Sequence, residues 1–215
     1  FFASTCDILG VDPYPIEKPG NHNMLLVKKN MDAANKSFRT NDGIALWSVP
    51  QFHNLGNYDW RAKENYEYKL KNFATPSKEE MQSMCLLMAI MGSKGFIGYS
   101  YFDIFPRKTE EEKRWLEICD IAELLKELAP FILSPQNSFE IIVENKQGNV
   151  LAKAFLDEDK RIKILIAGIG PGKSEAIMTI PQNINLTSRF GRTKSLTSNK
   201  YIFQGEGICS DILDK

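Results

Sequence analysis

Three short apolar runs set the strongest constraint on how this chain can fold. They are Asp7-Ile8-Leu9-Gly10-Val11-Asp12, Ile44-Ala45-Leu46-Trp47-Ser48-Val49-Pro50 and Gly95-Phe96-Ile97-Gly98-Tyr99-Ser100-Tyr101. Runs of this length, rich in β-branched and aromatic residues, read as buried strands, and proline stops the first two. Helical patterns separate them. Residues 22–38 carry Met24, Leu25, Val27, Met31 and Ala34 on a broad apolar face, and Asn41-Asp42-Gly43 is a turn signal. Ser77 and Glu80 form a capping box at the start of a nearly all-apolar helix through Met81, Met84, Cys85, Leu87, Met88 and Met91. Strands alternating with helices imply parallel β/α units. Three units cannot close a barrel, so either further strands lie upstream or the sheet is small and open.

The pattern then changes. Thr109 to Leu128 is an amphipathic helix with Trp115, Leu116, Ile118, Ile121, Leu125 and Leu128 at helical spacing and three glutamates in its first turn. Beyond Pro130 come strand-like runs at 139–143, 150–156, 162–167, 176–180 and 201–203. Turn residues such as Lys146-Gln147-Gly148-Asn149 and Gly170-Pro171-Gly172 separate them. This predicts an antiparallel β-sandwich over 135–215, after a β/α domain over 1–134. The chain opens on Phe1 and enters an apolar run within a few residues. It is therefore expected to be a fragment, or a mature or clipped chain.

Composition narrows the partners. With 27 basic and 27 acidic side chains the formal charge is zero, which offers no attraction to nucleic acid or an anionic membrane. No apolar run approaches the roughly 18–20 residues that span a bilayer. Cys6, Cys85, Cys119 and Cys209 are far apart and, with only His22 and His53, suggest buried thiols rather than a metal site. Neither a cofactor nor a metal is expected. Residues 167–174 (Ala-Gly-Ile-Gly-Pro-Gly-Lys-Ser) match a loosened phosphate-loop pattern. The segment after Ser174 is short, partly β-branched and closed by Pro181, so a hairpin turn is expected there instead.

The chemistry-bearing residues gather where the apolar runs end. Asp12 and Tyr14 follow the first, Gln51 and His53 the second, and Tyr99 and Asp103 close the third. The stretch 52–75 is polar and aromatic without strong helical periodicity, and long ordered loops of this kind are often functional. Tyr14, Trp47, Tyr58, Trp60, Tyr99 and Tyr101 supply aromatic faces suited to the C–H faces of sugar rings. The competing reading is structural for each: a turn carboxylate for Asp12, core packing for Trp47 and Tyr101, a buried histidine for His53 and loop solvation for Asp103.

Residues 7–15, with their Asp-x-x-Gly-x-Asp-x-Tyr-Pro pattern, resemble the sixth strand of some glycoside-hydrolase-like (β/α)8 barrels. Trp47 to Phe52 resembles the seventh strand, and Pro76 to Ser100 the seventh helix and eighth strand. The resemblance implies the last three β/α units of a TIM-type barrel, incomplete in this chain, followed by an all-β sandwich. It also implies a glycan substrate, a secreted or periplasmic setting, and an active site on the C-terminal rim of the strands. Asp12 is then the catalytic candidate, with Tyr14, Gln51, His53, Tyr99 and Asp103 binding substrate. Gln51 stands where many such barrels carry the nucleophilic Glu, and an amide cannot serve as one. A glycoside hydrolase is thus the first expectation, and a non-catalytic carbohydrate-binding or structural module the alternative.

Overall fold

The computed structural model describes residues 6–20, 22–38, 43–100 and 110–215, the last stretch with side chains from Lys113 onward. Asn41, Asp42, Tyr101 and Asp103 lie outside the described residues. The chain forms two compact units, residues 1–124 and 125–215.

In the first unit, strands β1 (Ile8–Val11), β2 (Ala45–Ser48) and β3 (Gly95–Phe96) pair in parallel in the order β1-β2-β3. Helix α1 (Leu25–Phe38) connects β1 to β2. It buries Val27, Met31 and Ala34, with Met24 just before it, whereas Leu25 stays exposed. Helix α4 (Lys78–Ile90) connects β2 to β3. It starts at Ser77, whose hydroxyl accepts from Glu80 N–H while the Glu80 carboxylate accepts from Ser77 N–H. Every residue from Ser83 to Ile90 is buried, as expected for a helix apolar on all sides. Burial pushes the Cys85 thiol far above its ordinary range, so it stays protonated. Gly95 is required where it stands, because a Cβ there would fall 2.7 Å from the Trp47 indole.

Residues 54–73 hold three short helical turns where a loop was expected. They are a 3-10 turn at Leu55–Asn57, α2 (Trp60–Glu64) and α3 (Tyr66–Asn72). Asn54, Asp59 and Asn65 cap them in succession, each side chain accepting from backbone N–H groups two or three residues on. Such turns arise from capping rather than from an apolar stripe, so periodicity does not show them.

Helix α5 (Glu110–Ile132) continues past the expected end near Leu128, through Pro130. The division between the units falls inside it. The second unit then forms two antiparallel sheets from eight strands: β4 (Ile142–Gln147), β5 (Val150–Leu156), β6 (Ile162–Gly168), β7 (Lys173–Thr179), β8 (Thr187–Ser188), β9 (Thr193–Thr197), β10 (Lys200–Glu206) and β11 (Cys209–Asp214). Their orders are β4-β7-β10-β9 and β5-β6-β11-β8. Residues from both sheets share one core, with Val150, Ile164, Ile166 and Leu213 from one and Ala176, Met178, Tyr201 and Phe203 from the other. At about 1.5–3 kcal/mol per buried large apolar side chain, this core is the unit's main source of stability.

Two expectations are corrected here. The barrel is absent: the described residues hold five helices, a three-stranded parallel sheet and mostly antiparallel pairing elsewhere, so the fold is mixed α/β. An open sheet of three strands has no means of closing on itself, since closure needs consistent strand number, tilt and shear around a full ring. The Gly168–Gly172 segment is not a hairpin, because β6 and β7 lie in different sheets. It arches from one sheet to the other, as does the Gly148 turn between β4 and β5. Lys173 and Ser174 open a strand rather than a helix, which removes the basis for phosphate binding.

A charged cluster closes one end of this unit. Lys163 Nζ lies 3.0 Å from Glu127 and 2.9 Å from Asp214, and Arg189 donates to both Glu127 oxygens at 2.8 Å. Burial disfavours the Glu127 charge, but the Arg189 and Lys163 hydrogen bonds outweigh it and hold the carboxyl below its ordinary range. The folded state therefore binds the Glu127 proton less readily than the unfolded chain. Its stabilisation is fully present above the ordinary pKa of 4.5 and is lost as pH falls through the lower folded value. Urea unfolding of the Glu127→Gln variant should show it less stable than the parent at pH 7, with the gap closing as pH drops through that window. A gap that does not change with pH would contradict the assignment.

Candidate functional site

The parallel strands of the first unit deliver their C-terminal residues to one place. Val49 N–H donates to Val11 O at 2.8 Å, carrying the β1–β2 pairing past the strand ends, and Gln51 bridges to Tyr99 in parallel fashion. Pro13 follows the end of β1 and Pro50 the end of β2.

His53 is the centre of the resulting cluster. Three tyrosine rings meet its imidazole edge-on: Tyr14 at 5.2 Å between centroids, Tyr58 at 5.3 Å and Tyr99 at 5.9 Å. This T-shaped geometry suits aromatic quadrupoles. His53 is 2% exposed, while Tyr58 and Tyr99 are 51% and 43% exposed, so the tyrosines form the outer wall. Asp12, itself exposed, accepts a hydrogen bond from the Tyr14 hydroxyl at 2.7 Å. This fixes the Tyr14 ring and ties one carboxylate to the cluster. Asn54 fixes Tyr58: its side chain caps the 3-10 turn that Tyr58 ends and also donates to Thr75 Oγ1 at 2.8 Å.

The histidine tautomer follows from its neighbours. Nδ1 lies 3.1 Å from the carbonyl oxygen of Tyr99. A carbonyl can only accept, so Nδ1 donates to it; in the singly protonated ring the lone pair is then on Nε2. Nε2 is buried and, among the described residues, has no hydrogen-bond partner. An orphaned buried acceptor of this kind costs about 1–3 kcal/mol.

Gln51 has a different position from the one its place in the sequence suggests. It is fully buried, and its Oε1 accepts from Ile16 N–H at 2.8 Å. Its Nε2 donates to Ile16 O at 2.7 Å and to His53 O at 3.2 Å. The amide thus replaces a missing strand partner for the Tyr14–Ile16 segment and supports the site from beneath. Trp47 packs under β3, and Trp60 is exposed on α2. Asp103, expected at the rim, lies outside the described residues. The structure therefore joins Asp12, Tyr14, His53, Tyr58 and Tyr99 at one surface and withdraws Gln51 into the scaffold.

Among the described residues, no group of three His, Cys, Asp or Glu side chains is placed to hold a metal ion, and no helix is long and apolar enough to cross a membrane. Comparison with known protein families, characterised proteins and solved structures finds no match. With neither a barrel nor a matching family, the resemblance to the glycoside-hydrolase barrels is withdrawn. Its quoted segments are short apolar strands with proline ends, a pattern that parallel β/α units share whatever their ancestry.

Proposed function

We propose that the strand-end surface of the first unit is a carbohydrate-binding site. The observation that carries this reading is the grouping of Tyr14, Tyr58 and Tyr99 around His53, with Asp12 bonded to Tyr14. Tyrosine faces pack against the C–H faces of pyranose rings, and a carboxylate takes up sugar hydroxyls. Glycoside hydrolysis by the usual route needs two carboxylates across the scissile bond. Among the described residues Asp12 is the carboxylate bonded to this cluster, and the reading favoured is binding without turnover.

Calorimetric titration with neutral gluco-, galacto-, manno- and xylo-oligosaccharides tests it. At least one should bind, and the Tyr99→Ala variant should weaken that binding about tenfold, the equivalent of ~1.4 kcal/mol. Absence of binding across the panel, or binding unaffected by Tyr99→Ala, would overturn the reading. Release of reducing sugar that disappears in Asp12→Asn would assign hydrolysis in its place.

A further inference from the structure

We infer that His53 is the specificity-determining residue of this site, selecting neutral, hydroxyl-rich saccharides over acidic ones. The inference rests on the carbohydrate-binding reading and deepens it. Its basis is the hydrogen-bonding sense of the polar atoms at the cluster. The Tyr99 carbonyl accepts from Nδ1, so in the singly protonated ring Nε2 is the lone-pair acceptor. That nitrogen is buried and, among the described residues, unpartnered. The Asp12 carboxylate is the second fixed polar group, and it too only accepts. Two acceptors, one of them anionic, require a ligand edge that donates.

A sugar hydroxyl meets that requirement. A uronate carboxylate or a sugar phosphate does not, because it sets acceptor against acceptor and negative charge against Asp12. Tyr58 and Tyr99, both half-exposed, pack edge-on against the His53 ring, and access of a sugar edge to Nε2 requires one of these rings to turn outward. The gain is larger than an ordinary surface hydrogen bond, since the contact relieves an acceptor that is otherwise unsatisfied. A site built to bond a hydroxyl discriminates strongly against ligands that leave its buried polar group unpaired.

Two variants separate the acceptor from the ring. His53→Asn retains a polar group at the Nδ1 position but has no atom where Nε2 lies. His53→Gln places an amide oxygen there. Calorimetry would use the tightest-binding neutral oligosaccharide of the panel and its C6-oxidised uronate counterpart. His53→Asn should weaken the neutral ligand about tenfold or more, His53→Gln should hold within about threefold of the parent, and the uronate should bind the parent at least about tenfold more weakly. Nitrogen NMR of the parent protein gives a readout independent of any variant's folding. His53 Nε2 should resonate as a bare imidazole nitrogen and move on titration with the neutral sugar. Neutral-ligand binding that His53→Asn leaves unchanged, equal affinity for the uronate, or a protonated Nε2 in the free protein would overturn this inference while leaving sugar binding intact. Failure of every oligosaccharide to bind would overturn the underlying reading and this inference with it.

Discussion

The Gln51→Glu variant should lose several kcal/mol of stability at neutral pH and should gain no hydrolytic activity. One carboxylate oxygen can still accept from Ile16 N–H. The other faces the carbonyls of Ile16 and His53, both of which currently receive the Gln51 Nε2 hydrogens. At a fully buried position this leaves an uncompensated charge against two acceptors, a situation that costs about 3–5 kcal/mol. Protonation relieves it, because the neutral acid can donate to Ile16 O. The folded variant therefore binds its proton more tightly than the unfolded chain does. Its deficit should be small below the ordinary glutamate pKa of 4.5 and should grow as pH rises. Gln51→Leu removes the same hydrogen bonds without adding charge, so its loss should not change with pH. Thermal unfolding of both variants at pH 4 and pH 7 decides the matter. A Gln51→Glu protein as stable as the parent at pH 7 would show that the amide does not hold the Tyr14–Ile16 segment.

Asp211→Ala should destabilise the second unit by about 3 kcal/mol or more, through the loss of charge-assisted hydrogen bonds worth about 1.5–3 kcal/mol each. Asp211 is fully buried. One of its oxygens accepts from Phe190 and Ile212 N–H at 2.9 and 2.8 Å, the other from the Ser188 hydroxyl at 2.6 Å and Arg192 N–H at 3.1 Å. The Ser188 oxygen passes the connection on, accepting from Gly191 N–H at 2.8 Å. A single carboxylate thus organises the turn from β8 to β9. Asp211→Asn should cost less than Asp211→Ala, since it keeps one accepting oxygen. Urea unfolding measures both. A loss below about 1 kcal/mol for Asp211→Ala would mean that water replaces the carboxylate, contrary to its burial.

What was legible in the sequence depended on how local each determinant is. β1 and β2 were visible as strands because apolar runs ending at proline mark a strand locally, but β1 is mostly exposed, with Ile8 at 46% and only Val11 buried, rather than the buried strand its sequence suggests. The capping box of Ser77 and Glu80 was visible for the same reason. Strand number is not local: nothing within three apolar runs states how many partners the sheet has, and the barrel expectation came from resemblance rather than from the residues. β9 reads Thr193-Lys194-Ser195-Leu196-Thr197 and is mostly exposed, so it lacks an apolar signature. β11 hides Ser210 and Asp211 inside, which breaks the expected alternation.

The site divides the same way. Asp12, Tyr14, His53 and Tyr99 could be grouped from sequence because strand ends can be located there, and the structure sets them side by side. Gln51 was misplaced because its direction depends on Ile16 folding back across β2, a contact between positions 35 residues apart. Tyr58 was recognised only as an aromatic, since its position depends on the Asn54 cap.

The claim on which the account turns is that one aromatic surface in the first unit receives sugar. Chemical-shift mapping during titration with the best-binding neutral oligosaccharide tests it most directly. The account predicts perturbations concentrated on Tyr14, His53, Tyr58 and Tyr99, with Asp12 beside them. Perturbations confined to the second unit, or scattered over the surface without these residues, would contradict it.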